Sequence, residues 1–446
     1  MRALSVERKD SRTEVYKKCL LNPAALLFLS FRLASAPSQK ASAEPTLQSR
    51  RMSREPPCVD PDDPVGVFPG PSDGATLHAP ERWRETVSAE AVAHLRREGW
   101  CVIDGFLSGA GGDERVDADE AEGEAGVGSE TAGFPVDKNG KHAWASALRD
   151  EIRWLSRVGL VQPNRTHFAN HAGERYLFSK PHVFEADMHD ANVRRRVPAL
   201  ARFFEDAATA LPDAFAEADT RAEAGTSQTS QKGKHPPLSL LARGDLARTV
   251  KLQHNEGFGG CFPCHYDNPG GTSRRLLTCI LYLNPGWAEG DGGELVLTPF
   301  LSRRVRVRPK HDRLAVFYSD RVCHSVEPAR AERFCLTVWL DGVAGSVNTS
   351  EDTQLSLPAS VLTDPDAVAE TLRLSAAQRS LSRAVYAEAY RESLTRCMAG
   401  AAGCDEMLAS HDAAVEATRG NRPLAALVEA LRERKAFAEM GGDMEV

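Results

Sequence analysis

From Leu246 onwards the chain breaks into short runs of period two, and this alternation constrains the fold more than any other feature of the sequence. Candidate strands are Thr249–His254, Leu276–Leu283, Gly293–Thr298, Arg304–Arg308, Arg313–Tyr318, Val322–Val326 and Arg333–Leu340. Turn-forming stretches such as Asn268-Pro-Gly-Gly271 and Glu289-Gly-Asp-Gly-Gly293 separate them. Short β-branched and aromatic runs punctuated by Gly and Pro read as antiparallel strands. This many within about 95 residues predict a sandwich or jelly roll, whose alternate side chains point into the space between two sheets.

Either side of this region the pattern is helical. Ser88–Arg97 places Ala91, Val92 and Leu95 on one face and leads into a short strand, Trp100-Cys-Val-Ile-Asp-Gly-Phe106. Trp144–Val158 and Pro198–Ala210 also have helical periodicity, and a proline suits the first helical position because its missing N–H would be unpaired there anyway. Between them Arg175–Glu185 is more extended and aromatic, while Arg221–Pro237 is polar and turn-rich. Past Gly345 the chain turns Ala-rich, with helices expected near Asp366–Leu374, Ser375–Met398 and Pro423–Ala438. Ser375 and Gln378 have the spacing of a capping box. The predicted fold class is α+β: a double-stranded β-helix (jelly-roll) core with flanking helices, a helical C-terminal extension and a disordered N-terminus. Residues 1–78 read as leader and linker, 79–245 as helices and first strands supporting the core, 246–343 as the core domain and 344–446 as the extension. The acidic, Gly-rich insert at 109–133 has almost no bulky apolar residue and cannot bury enough surface to fold alone.

Composition narrows the class of function. With 42% hydrophobic and 26% charged residues the chain is of the soluble globular kind. A formal charge of −7 leaves no basic surplus to neutralise phosphates, which argues against nucleic acid or an anionic membrane as partner. The 10 cysteines are scattered rather than patterned, so they read as reduced thiols of an intracellular compartment. Residues 1–54 differ: 11 Lys/Arg against four acidic residues, with an apolar run at 24–31. That run is too short for an integral membrane span, but it resembles the leader of an organellar or secretory protein.

The chemistry is concentrated in Cys261-Phe-Pro-Cys-His-Tyr-Asp-Asn-Pro269. Its C-x-x-C-H matches a c-type haem attachment signature, but it sits among strands. A structural zinc site needs four ligands, and the best second pair, Cys323 and His324, are neighbours that a strand points to opposite faces. The same geometry separates Cys264 from His265. His265 and Asp267, at i and i+2, emerge on one face of an extended backbone. One further histidine would complete a 2-His-1-carboxylate triad of the kind that serves Fe(II) oxygenases. His324, on a strand of its own, can supply it. His254-Asn-Glu256 is a rival His-x-carboxylate.

Nine residues after His324 stands Arg333, whose guanidinium would be costly inside a barrel unless paired and matches a carboxylate bidentately. Together with HYDNP, LTCILYLN, GDGGEL, DRLAVFYSDR and CHSVEPARAERFCLTVW, in that order, this set resembles the iron(II)- and 2-oxoglutarate-dependent oxygenases. The likeness is to their prolyl 4-hydroxylase branch, and within it to the oxygen-sensing prolyl hydroxylases. The resemblance spans about Leu246 to Gly342, with WCVIDGF a looser match upstream. It implies Fe(II) held by His265, Asp267 and His324, and 2-oxoglutarate whose far carboxylate pairs with Arg333 and hydrogen-bonds Tyr282 and Thr337. O2 is the oxidant, ascorbate the expected reductant, and succinate and CO2 the co-products. The implied substrate is a prolyl residue in a peptide or protein. The Tyr-rich wall of the oxygen-sensing enzymes is replaced by Gln253–Phe262, so the same chemistry on a non-prolyl or small-molecule substrate stays open. So does a non-catalytic interaction module on this scaffold, and the oligomeric state is not specified.

Overall fold

A computed structural model of the chain describes residues 65–69, 81–108, 143–169, 175–224, 234–344 (apart from Pro269 and Gly271) and 365–446 (apart from Ala402). The expected disordered leader at 1–54, most of the linker after it and the acidic insert at 109–133 lie outside the described residues. No helix among the described residues is long and apolar enough to cross a membrane.

The first elements are helices α1 (Glu81–Thr86) and α2 (Ala89–Glu98), strand β1 (Trp100–Ile103), helix α3 (Ala143–Arg157), and strands β2 (Gln162–Ala169) and β3 (Arg175–Asp187). Helices α4 (Ala191–Arg194), α5 (Pro198–Asp206) and α6 (Ala210–Ala224) follow. The β-region then supplies β4 (Arg248–Asn255), β5 (Phe262–His265), β6 (Arg275–Tyr282), β7 (Leu295–Pro299) and β8 (Val305–Val307). It ends with β9 (Arg313–Tyr318), β10 (Val322–Val326) and β11 (Arg333–Asp341). Last come α7 (Pro365–Arg373), α8 (Gln378–Val385), α9 (Ala387–Met398), α10 (Cys404–Gly420), α11 (Arg422–Glu439) and a two-residue strand β12 (Met444–Glu445).

The strands form two sheets, ordered β1-β9-β6-β11-β4-β3-β2 and β12-β8-β7-β10-β5. Alternation decides what each sheet buries. On β11 the even residues Phe334, Leu336, Val338 and Leu340 pack with Leu148, Ile152, Leu200 and Phe203 of the helical layer. The odd residues Arg333, Cys335, Thr337 and Trp339 face the space between the sheets. There Phe262, Ile280, Tyr282, Leu295, Leu297 and Phe317 form a second core. The outer face of the smaller sheet, including Cys323 and Cys264, is covered by α7, α8, α9 and α11 through Val368, Leu372, Leu381, Tyr386, Tyr390 and Leu431. The fold is therefore the expected jelly-roll sandwich with helices on both outer faces.

Several local expectations need correcting. Strands β2 and β5 and helix α10 were not foreseen, and α6 runs to Ala224 into the segment read as loop from Arg221. The single helix expected over Ser375–Met398 is two, broken at Tyr386 (φ −106°, ψ 32°). The capping box does not form: Ser375 Oγ accepts from the Ala377 N–H (3.1 Å), and the Gln378 amide donates to the Leu372 (3.3 Å) and Arg373 (2.9 Å) carbonyls. Those carbonyls end α7 and lack helical partners, so Gln378 serves the helix before it rather than its own.

Helix α5 begins at Pro198 as expected, but its N-cap residue, Val197, has no side chain to cap with. Glu151 of α3 takes that part, its two oxygens accepting from the Ala199 (2.9 Å) and Leu200 (2.8 Å) N–H groups. Burial raises the Glu151 pKa to about 7 although both N–H bonds pull it down. Between the ordinary value of 4.5 and about 7, the folded chain holds a proton that the unfolded chain has released. The contribution of this group to stability therefore falls as pH rises through that window. Glu151→Ala is expected to cost about 1–3 kcal/mol by stranding two buried donors, read as a lower thermal midpoint. Glu151→Gln should flatten the pH dependence of unfolding across the same window.

Candidate active site

Strands β5 and β10 pair antiparallel with His265 opposite His324 and Phe262 opposite Val326. Two steps along β10 thus match three along β5. The extra residue of this bulge re-aims the strand and lets both Phe262 and His265 line the inter-sheet cavity. The two imidazole rings meet at a centroid distance of 4.2 Å. Asp267, just past the end of β5, brings Oδ1 to 3.4 Å from His265 Nε2 and Oδ2 to 3.6 Å from His324 Nε2. The potential ligand atoms of the three residues all lie within 4.8 Å of one another, the one such cluster among the described residues.

The surrounding bonds set which atoms face the centre. His265 Nδ1 lies 2.8 Å from the Pro263 carbonyl, which can only accept, so Nδ1 carries the proton and Nε2 presents its lone pair. His324 repeats the pattern with the Val322 carbonyl at 3.5 Å. Burial, followed by the neighbouring His265, lowers the His324 pKa to about 4, keeping its ring neutral. The Asp267 carboxyl lies well below its usual range although burial pulls it up. Thr278 Oγ1 donates to Asp267 Oδ2 (2.8 Å), and Arg275 Nη1 to the Asp267 carbonyl (3.1 Å). Two imidazole lone pairs and a carboxylate facing one another, with no proton donor among them, fit a divalent cation such as Fe(II).

The cavity around this cluster has a volume of about 230 Å³. At one side Arg333 is buried at the start of β11, its guanidinium 5.0 Å from the centroid of the Tyr282 ring. Its Nη1 reaches the Cys335 sulfur at 3.5 Å, while Nε has no hydrogen-bond partner. No carboxylate among the described residues pairs with it. The room it occupies depends on Gly293 (φ +76°), where a Cβ would come within 2.8 Å of Arg333 Cδ. Tyr282 is fully buried behind the guanidinium, its hydroxyl without a partner of good geometry, and Thr337 lines the cavity from β11. An unpaired buried guanidinium beside an unpaired phenol fits a carboxylate-bearing ligand.

The competing motifs fall elsewhere. His254 is even-numbered on β4 and points to the helical layer, bonded to Ser156 Oγ (2.6 Å) and Glu332 Oε1 (3.0 Å) and stacked on Phe334. Cys264 faces α9, its N–H donating to Ser393 Oγ (3.0 Å).

The sequence profile of the 2OG-Fe(II) oxygenase superfamily matches residues 250–341. Egl nine homolog 1 of Rattus norvegicus is 44% identical over 86 residues, 19% of this chain and 25% of that protein. Prolyl hydroxylase EGLN3 of Mus musculus is 44% identical over 112 residues, 23% of this chain and 46% of that protein. The chain thus spans less than half the length of either relative. Among solved structures, that of prolyl 4-hydroxylases from Phytophthora capsici is 38% identical, covering 80% of this chain and 96% of that one with a TM-score of 0.59. The chain belongs to the 2OG-Fe(II) oxygenase superfamily.

Membership of this superfamily implies Fe(II) as metal and 2-oxoglutarate and O2 as co-substrates. Alternation also brings in residues that the sequence motifs passed over. Lys251 and Gln253 are the inward residues of β4, and Asn164, Thr166, Lys180 and Glu185 enter from β2 and β3. Period two on β4 could have identified the first pair. Nothing in the sequence motifs links the β2–β3 hairpin to the oxygenase core, because its place in the sheet is set by pairing with β4. Within this oxygenase the Thr278 hydroxyl, bonded also to Ser319 (2.8 Å), orients the Asp267 carboxylate. Thr278→Val is expected to weaken divalent-metal binding by about tenfold or more, measured by Mn(II) or Co(II) titration, with Thr278→Ser restoring it.

Proposed function

We propose that the protein is a prolyl 4-hydroxylase-like dioxygenase acting on a proline within a peptide or protein, with succinate and CO2 as co-products. The observation that carries this reading is the buried, carboxylate-free Arg333 in the same cavity as the His265, Asp267 and His324 cluster. A non-catalytic module has no use for four such costly groups in one cavity. The prolyl assignment is supported by the Phytophthora capsici prolyl 4-hydroxylases, which match along nearly their whole length.

In this reading His265, Asp267 and His324 hold Fe(II), leaving coordination positions for two further reactants. The bound metal supplies the oxidising chemistry that couples decarboxylation of 2-oxoglutarate to C–H hydroxylation. The chain's own work is orientation. Arg333 grips the far carboxylate of 2-oxoglutarate, with Tyr282 and Thr337 as additional hydrogen-bonding groups. Asp267 stays ionised and His324 neutral, so no proton competes for the ligand atoms. Phe262, Ile280 and Val326 keep that part of the cavity wall apolar. Ascorbate serves as reductant, as in the enzymes the sequence resembles.

Under air, with added Fe(II) and ascorbate, the protein is expected to release succinate from 2-oxoglutarate and to yield a proline peptide one oxygen heavier by mass spectrometry. His265→Ala should abolish metal binding and turnover, while His254→Ala should retain metal binding. The reverse pattern, or a wild-type protein that neither binds Fe(II) nor consumes 2-oxoglutarate, would overturn the assignment.

A further inference from the structure

One half-buried cation of the cavity, Lys180, has no role in the proposed reaction. Lys180, on β3, donates to Asn164 Oδ1 (2.6 Å) and Thr166 Oγ1 (2.7 Å), and its ammonium lies 4.6 Å from the centroid of the Phe262 ring. That ring in turn stacks on His265, with centroids 6.5 Å apart. The ammonium is therefore one aromatic ring away from the candidate metal cluster, on the side where the bond to Thr166 is exposed to solvent.

Lys180 lacks an acidic partner among the described residues. The acid of its own strand, Glu185, is engaged by Lys251 (2.7 Å) and by the Asn164 amide (2.5 Å). Burial, the largest influence, lowers the Lys180 pKa to about 8 against the pull of Glu185; the side chain is half-buried, open to solvent beside Thr166 and without a full counter-charge. Two neutral oxygens and a ring face hold a cation in place, but they leave its charge uncompensated. Arg165 also lines the cavity but is exposed at its mouth, and the remaining cations are committed. Lys251 is paired, Arg275 stacks on Trp339 (4.3 Å) and bonds the Asp267 carbonyl, and Arg333 is assigned to 2-oxoglutarate.

We propose that Lys180 reads an anionic group on the substrate, so that the segment hydroxylated carries an Asp or Glu side chain beside the reacting proline. This rests on the peptide hydroxylase reading given above. A half-buried lysine without a counter-charge favours an entering carboxylate over an amide and repels a cation, which makes it a specificity element.

The test uses the full chain with Fe(II), 2-oxoglutarate and proline-centred peptides identical except for flanking Asp, Asn or Lys. Wild type should favour the Asp peptide over the Asn peptide by about tenfold or more in kcat/KM, mainly through KM. Lys180→Met should erase that preference, and Lys180→Glu should turn it towards the Lys peptide, with the KM for 2-oxoglutarate moving far less than that for peptide. Equal use of Asp and Asn peptides by wild type overturns the inference while leaving the hydroxylase reading intact. So does a Lys180→Met protein that keeps the Asp preference and instead loses affinity for 2-oxoglutarate, since Lys180 would then serve the co-substrate. A wild type that consumes no 2-oxoglutarate and modifies none of the peptides overturns the hydroxylase reading and this inference with it.

Discussion

The site depends on one short antiparallel pairing, β5 against β10. It sets His265 opposite His324, and the bulge between His324 and Val326 lets three steps along β5 match two along β10. Without the extra residue, strict alternation would put Phe262 and His265 on opposite faces. With it, the ring that carries Lys180 and the ring that faces Asp267 share one cavity. The neighbouring β10–β7 pairing is regular over five residues, so the irregularity is confined to the side where ligand-bearing groups must converge.

Burying this many charges between two sheets is physically demanding, and the structure shows how each is accommodated. Asp267 is held by Thr278, which donates to its carboxylate, and by Arg275, which donates to its backbone carbonyl. Glu185 and Lys251 neutralise one another. Arg333 and Lys180 are left with aromatic faces and neutral or soft acceptors. These two cations are the groups whose environment is completed only by a ligand, and they enter the cavity from different strands, β11 and β3.

Much of this was legible in the sequence where a local rule governs. Period two gave β4, β6, β9, β10 and β11 nearly to the residue, and i, i+2 spacing brought His265 and Asp267 together. Alternation along β4 also separates His254 from the cluster, since Val250, Leu252 and His254 share its helix-facing side. What escaped was settled by distant partners. Strand β5 is four residues containing a proline, a weak signal by itself, and it is extended because β10 pairs with it. The cap of α5 is invisible locally because its acceptor, Glu151, comes from another helix. Gln378 has the right spacing for a capping box, yet its amide instead donates to the Leu372 and Arg373 carbonyls at the end of α7. Lys180 belongs to a hairpin outside the motif-bearing region, so no motif spacing could have linked it to the site.

The larger sheet has β1 at one edge and β2 at the other, and β1 pairs directly with β9, so that Trp100 lies opposite Phe317. More than two hundred residues of chain separate these partners. Helices α1 and α2 pack on a face that exists only once β6, β9 and β11 are in register. During synthesis, then, the early helices emerge long before the surface they cover. Closing so long a loop carries an entropic penalty that later contacts must overcome, and sheets built from such distant pairings assemble slowly. Until β9 arrives, Trp83, Leu95 and Phe106 have no complete core to enter, which makes the emerging amino-terminal half the stage at which this chain has the greatest need of protection from aggregation.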